Sequence, residues 1–202
     1  MGECAECSGA ARSQCVCGRV WYCSKQCQRA HWRLHRRDCD KVLLATVGGE
    51  KGRGLVASQR IQWGEEILRE QPLLLINNSS SLVAWSDTVL GLVRDLAERE
   101  RRQLEELADN SGLADTAEFL YLRGVRGLSE ESLRTLRIIR TNGINLAEDG
   151  ERTGLYLRFS RVNHSCAPAA VRNIEPTTGT LSLIAARDIE KGEEITIKVE
   201  EN

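Results

Sequence analysis

The sequence predicts an α+β protein in two unequal parts: a small finger holding two zinc ions over residues 1–40, and a larger domain of short strands interrupted by a helical insert over 77–140. Three observations carry that expectation. Seven of the eight cysteines lie within the first 39 residues in close pairs, with a histidine completing the set. Short apolar runs bounded by glycine, proline and asparagine occupy 52–76 and 154–199, the pattern of strands and turns. Between them, apolar residues recur every three or four positions, the pattern of helices.

At 202 residues, 41% hydrophobic and 28% charged, the chain has the length and balance for one core plus a small satellite module. A net charge of -1 gives no bulk attraction to nucleic acid or membrane. No apolar run approaches the roughly 20 residues of a membrane span, and the first residues lack a signal-peptide core. The expectation is a protein of the nucleus, the cytoplasm or both, where reducing conditions favour zinc over disulfides.

In the finger, Cys4 and Cys7 are followed by Cys15 and Cys17, then Cys23 and Cys27, then His35 and Cys39. Eight ligands in four pairs fit two closed tetrahedral zinc sites. Seven cysteines are odd in number, which argues against a disulfide framework. So short a segment has almost no apolar core, so metal coordination must supply its folding energy. Ser24 is placed to cap a helix running through Gln28 and Trp32 to His35, with His31 on its surface. Arg29, Arg33, Arg36 and Arg37 form a basic strip, read as a solvated face in preference to a phosphate contact.

The spacing, together with Trp21-Tyr22-Cys23-Ser24, Cys27-Gln28, Trp32 and His35, resembles the MYND-type zinc finger over residues 4 to 39. The resemblance implies interleaved sites: Cys4, Cys7, Cys23 and Cys27 on one zinc, and Cys15, Cys17, His35 and Cys39 on the other. It also implies a groove for proline-containing peptides at Gln28 and Trp32. The competing reading makes Trp32 a cover for the zinc core.

After the finger, 41–50 reads as a linker whose first residues, Lys41 to Ala45, prolong the helix. Gly52-Arg53-Gly54 precedes the strand Leu55-Val56-Ala57, its glycines suiting either close approach to a ligand or a tight turn. Glu66 to Leu68 and Leu73 to Ile76 extend the sheet. The stretch from Ala57 to Ile67 is echoed from Ala185 to Ile195, sharing the alanine, both isoleucines, the glycine and the paired glutamates. A strand, a glycine turn and a second strand explain both copies, with Glu65-Glu66 and Glu193-Glu194 as solvated turn residues.

In the insert, Val89, Val93, Leu96, Ala97, Leu104 and Leu107 mark one helical face behind Ser86 as cap, with Glu98 to Arg102 on the wet side. A second helix is expected over Asp115 to Leu122. A third, capped by Ser129, carries Leu133, Leu136 and Ile139. Strands return at Gly154–Phe159, at Ala170–Ile174 and Thr180–Ala185 around a hairpin turn, and at Ile195–Val199. Between them, Asn163-His164-Ser165-Cys166 crowds polar groups at a strand tip, suited to binding a flat heterocycle or to an ordinary turn.

Gly-Arg-Gly-Leu, Thr141-Asn142, Asn163-His164-Ser165-Cys166-x-Pro168 and the terminal Ile-x-x-Gly-Glu-Glu-Ile together resemble a SET domain, spanning 51–202. With the finger in front, the chain resembles the SET-and-MYND protein-lysine methyltransferases. That resemblance implies a pseudoknot between the Asn-His-Ser-Cys segment and the closing strand, with S-adenosylmethionine as cofactor and a histone or other protein lysine as substrate. It implies Gly52, Arg53 and Gly54 along the methionyl part, Asn163 and His164 at the amino group and adenine edge, and Asn142 and Ser160 beside them.

Three positions depart from the family pattern. Val199 stands where a catalytic tyrosine is expected, Ala169 where an asparagine is, and the sequence ends at Asn202 with no post-SET cysteines. Cys166, their usual zinc partner, is then expected to be a buried free thiol. The catalytic residue is therefore unassigned. The expectations are a methyltransferase in truncated form, or a silent zinc-dependent module that recruits proline-containing partners. A DNA-binding regulator is the weakest alternative at this charge.

Overall fold

The computed structural model describes residues 2–15, 20–35, 41–48, 52–146 and 150–198. Its first module is a two-residue antiparallel ladder, β1 (Ser13–Gln14) with β2 (Trp21–Tyr22), followed by helix α1 (Lys25–His35). Ser24 caps α1 as expected, its Oγ accepting the Cys27 N–H at 3.2 Å. Among its described residues, Cys4, Ala11, Cys15, Tyr22 and His35 are enclosed. His31 is half-buried, contrary to the surface reading: its Nδ1 sits 3.0 Å from the Tyr22 hydroxyl, and its ring stacks on His35 at 6.0 Å. Four residues is one helical turn, so His31 shares the inward face of His35.

Where a helical extension and linker are expected over 41–50, Val42–Thr46 is instead a strand, β3, antiparallel to β4 (Arg53–Ala57). Val42 opposite Ala57 is buried, and that pairing decides the conformation of a run too short to show a period. Strands β5 (Glu66–Glu70) and β6 (Leu74–Asn77) follow.

The insert holds four α-helices, α2 (Leu82–Asp95), α3 (Glu98–Glu105), α4 (Ala117–Gly124) and α5 (Glu130–Asn142), and a 3-10 helix over Ser111–Asp115, so the helix expected from Asp115 begins at Ala117. The cap of α2 is Ser81, five residues before the expected Ser86. Ser86 is buried within the helix and returns its hydroxyl to the Val83 carbonyl at 2.8 Å. Leu96 and Ala97 are extended, and the Glu100 carboxylate takes the Ala97 N–H at 3.0 Å, so Glu98–Arg102 opens a helix of its own. Ser129 caps α5 as expected, accepting the Ser132 N–H.

The remaining strands are β7 (Ile144–Asn145), β8 (Arg152–Leu155), β9 (Asn163–His164), β10 (Ala170–Ile174), β11 (Leu181–Ala185) and β12 (Thr196–Ile197). They form small sheets ordered β10-β11-β5 and β6-β8-β7, with β12 parallel to β9. The strand expected over Gly154–Phe159 stops at Leu155. The Glu70 carboxylate accepts the Arg158 and Phe159 N–H groups at 2.9 Å each, and Phe159–Arg161 coils into a 3-10 turn. Burial holds the Glu70 carboxyl above its ordinary range despite those two bonds.

The internal echo is a local two-fold. Ile61 and Ile189 exchange both backbone hydrogen bonds at 2.9 Å, and Gly64 N–H to Ala185 O is repeated as Gly192 N–H to Ala57 O. Gly64 and Gly192 both adopt positive φ, at 78° and 86°. Glu65 accepts the Gln62 N–H and Glu193 the Glu190 N–H, so these carboxylates shape the turns. Two apolar clusters fill the larger domain: one around Ile61, Tyr156, Leu183 and Ile189 between the sheets, the other around Leu122, Leu136 and Ile138 beneath the helices.

Candidate cofactor crevice and metal centre

In the finger, the Cys4–Cys7 loop, β2 and the first turn of α1 bring the sulfurs of Cys4, Cys7, Cys23 and Cys27 within 4.8 Å of one another. Measured separations are 3.5 Å for Cys7–Cys23, 3.4 Å for Cys23–Cys27 and 3.8 Å for Cys27–Cys7. A tetrahedron with Zn–S bonds of about 2.3 Å has edges of about 3.8 Å, so the cage is of zinc size. Burial would raise the Cys4 thiol, but backbone N–H groups of Cys23, Glu6 and Cys7 draw it down to about 6, toward the thiolate a metal requires. Of the second expected set, Cys15 and His35 meet, Sγ to Nε2 at 3.2 Å, while Cys17 and Cys39 lie outside the described residues. Gln28 is half-buried and Trp32 exposed, one turn apart on α1.

The larger domain brings its distant segments together. A side-chain carbon added at Gly54 would stand 2.8 Å from Asn163 Nδ2 and 3.2 Å from Glu194 Oε1, so the β4 backbone lies directly against the β9 tip. Asn163 donates to Glu194 at 2.8 Å, which makes Glu194 a partner of the tip and not only the turn residue expected. Gly52 takes a left-handed φ of 71° in open space. Arg53 reaches the other way, donating to the Glu106 carboxylate at 3.4 Å and to its backbone oxygen at 3.1 Å. Asn142, at the end of α5, donates to Ala108 O at 2.8 Å. Arg161 approaches the same Glu106 carboxylate at 3.7 Å, so the segments at 53, 142 and 161 meet at one loop, 106–108, which sequence reading missed because Glu106 looks like a solvated helix end.

That loop is clamped from behind. Asp109 takes a two-point bond from Arg137, at 2.9 and 3.1 Å, and Arg137 also donates to Glu130 at 3.0 Å with only 6% of its side chain exposed. The Asp109 carboxylate raises the Arg137 guanidinium above its ordinary range.

Asn142 and Ser160 also wall a cavity of about 1010 Å³, with Trp85, Phe159, Val162 and Ile197. Ser160 Oγ is buried there with no hydrogen-bond partner among the described residues. Gly54, Asn163 and His164 are not on its wall, so the expected cofactor residues divide between this cavity and the Gly54–Asn163 contact. His164 is exposed at the tip. Cys166 is also exposed, contrary to the expectation of burial, with its sulfur 3.5 Å from His164 Nε2. It sits on the outward turn after β9, where Ser165 bonds to Ala167 in place of a core contact. Ala169, in the asparagine position, is fully buried. Val199 lies outside the described residues.

A cysteine-rich finger, a β-domain of small sheets and a helical insert define a two-module class. The SET domain family profile matches residues 52–198 and the MYND finger profile residues 4–39. The chain belongs to the SET domain family and carries a MYND finger ahead of that domain. It is similar to histone-lysine N-methyltransferase ASHR1 of Arabidopsis thaliana, 26% identical over 189 residues that cover 90% of this chain and 37% of the relative. It is also similar to SET domain-containing protein 14 of Caenorhabditis elegans, 27% identical over 174 residues covering 83% and 35%. The matches thus span 37% and 35% of the two relatives. Among solved structures, the SET domain of LSMT bound to lysine and AdoHcy shares the fold, with a TM-score of 0.52 at 17% identity over 86% of this chain and 54% of that one.

Proposed function

We propose that the chain is the S-adenosylmethionine-dependent part of a protein-lysine N-methyltransferase, with two zinc ions in a finger that recruits proline-containing partners. The observation that carries this reading is the contact between Gly54 and Asn163, far apart in sequence and both expected at the cofactor. The orphaned Ser160 hydroxyl in the neighbouring cavity is a buried polar group of the kind a bound molecule satisfies.

When bound, the cofactor supplies an electrophilic methyl group. Gly52, Arg53 and Gly54 would lie along its methionyl part and Asn163 and His164 at its amino group and adenine edge, with Asn142 and Ser160, both on the cavity wall, beside it. A lysine amine has a pKa near about 10.4 in water, so the acceptor must enter neutral. The cavity wall sets the guanidinium groups of Arg140 and Arg172 among apolar Ile144, Phe159 and Ile197, and like charges disfavour the ammonium form. Nuclear or cytoplasmic residence accords with this activity. At the finger, Gln28 beside the exposed Trp32 offers an extended peptide an amide and an aromatic face.

The test is transfer of labelled methyl from S-adenosylmethionine to a lysine-peptide library containing histone tails. Label on lysine is expected. Cofactor binding without label would favour the silent-module alternative, which the Val199 position supports. Val199→Tyr then discriminates: a gain of transfer identifies the missing hydroxyl as the defect.

A further inference from the structure

Beside the Gly54–Asn163 contact is a charge imbalance. Arg53 and Arg161 both approach one carboxylate, Glu106 Oε2, at 3.4 and 3.7 Å. Two guanidinium groups on one carboxylate leave one positive charge over. The neighbouring acids are engaged elsewhere: Asp109 with Arg137 and Arg134, and Glu194 with Asn163. The two arginines also differ. Arg53 is 45% exposed and hydrogen-bonded, whereas only 13% of the Arg161 side chain is exposed and its guanidinium makes no hydrogen bond among the described residues. Its distance to Glu106 is beyond hydrogen-bonding range. Burial, and then the charge of Arg53, hold this guanidinium below its ordinary range.

A half-buried guanidinium with no hydrogen bond to the described residues has its donors free for a ligand. Its planar fork matches a carboxylate at two points. Position narrows the ligand further. Arg161 lies two residues before Asn163, Arg53 sits between the two glycines, and both converge on the loop whose Ala108 carbonyl receives Asn142. One surplus charge suits one singly charged anion.

We propose that Arg161 is a cofactor-binding residue that holds the carboxylate at the amino-acid end of S-adenosylmethionine, with Glu106 keeping Arg161 and Arg53 from repelling each other. This deepens the methyltransferase reading and rests on it. It also assigns Glu106 a positioning role, separate from any contact with the ligand.

The experiment is calorimetric titration of the full chain, wild type and Arg161→Met, with S-adenosylmethionine and with its decarboxylated form. Wild type should bind the intact cofactor about 10- to 100-fold more tightly than the decarboxylated one, the worth of a charged hydrogen-bonded pair. Arg161→Met should weaken only the intact cofactor, bringing the two ligands together. Equal loss for both ligands, or no loss, overturns the assignment while leaving the methyltransferase reading standing. Binding of neither ligand by wild type overturns both. If Arg161→Met does not fold, the wild-type ratio decides: equal affinities reject the proposal.

Discussion

Among the described residues of the finger, the enclosed side chains are Cys4, Ala11, Cys15, Tyr22 and His35, three of which are of metal-ligating type. In the larger domain the enclosed side chains are overwhelmingly aliphatic, such as Ile61, Leu122, Leu136, Leu183 and Ile189, and they form two clusters. One region has the ligand set of a fold clipped by an ion, the other is held by many weak apolar contacts worth about 1.5–3 kcal/mol per large side chain. The difference locates the crevice's rigidity. Every contact that shapes it, Gly54 to Asn163, Arg53 to Glu106 and Asn142 to Ala108, lies within the second region.

Metal removal should break the comparison open most widely. Structural zinc contributes about 10–16 kcal/mol of apparent free energy in isolated fingers, so chelation should unfold residues 2–35 and leave the larger domain's transition in place. Hydrogen exchange read by peptide separates the two. Next in size is Asp109→Ala, which leaves the buried Arg137 with Glu130 as its remaining carboxylate partner. About 1.5–3 kcal/mol of stability should be lost, the worth of a charged hydrogen-bonded contact, measured by urea unfolding, and cofactor affinity should fall because the loop at 106–108 loses its clamp. Ser24→Ala removes the α1 cap and should cost about 1 kcal/mol, appearing as weaker zinc affinity with no change in the larger domain.

The smallest effect concerns Glu70. Its carboxyl is raised in the folded state, so the contribution of its proton is present at low pH and lost as pH rises through the raised value. The stability of wild type relative to Glu70→Gln should therefore decline as pH rises above about 4.3, the ordinary glutamate value, followed by denaturant midpoints. Wild-type stability that instead rises relative to the variant would contradict burial as the dominant influence.

The same contrast governs what could be read in advance. Metal ligands are spaced along a short chain, so Cys4, Cys7, Cys23 and Cys27 were legible from sequence, as was the cap at Ser129 with the inward face of α5. The parallel pairing of β9 with β12 entered through family resemblance. Strand β3 was not legible, because Val42-Leu43-Leu44 carries no period and its conformation is decided by its partners Ala57, Val56 and Leu55, well beyond the reach of local patterning. Nor was the break at Leu96–Ala97, where apolar spacing continues across two helices. Glu106 and Arg161 escaped notice because each is an ordinary surface residue type until tertiary structure places them beside Arg53.

The central claim is that the larger domain alone builds the cofactor site. Its most direct test is thermal unfolding of the full chain with and without S-adenosylmethionine, before and after chelation of the metal. The account predicts that the cofactor raises the larger domain's midpoint and that the rise persists once the finger has lost its zinc. No rise in the metal-loaded protein, or a rise that vanishes with the metal, would contradict it.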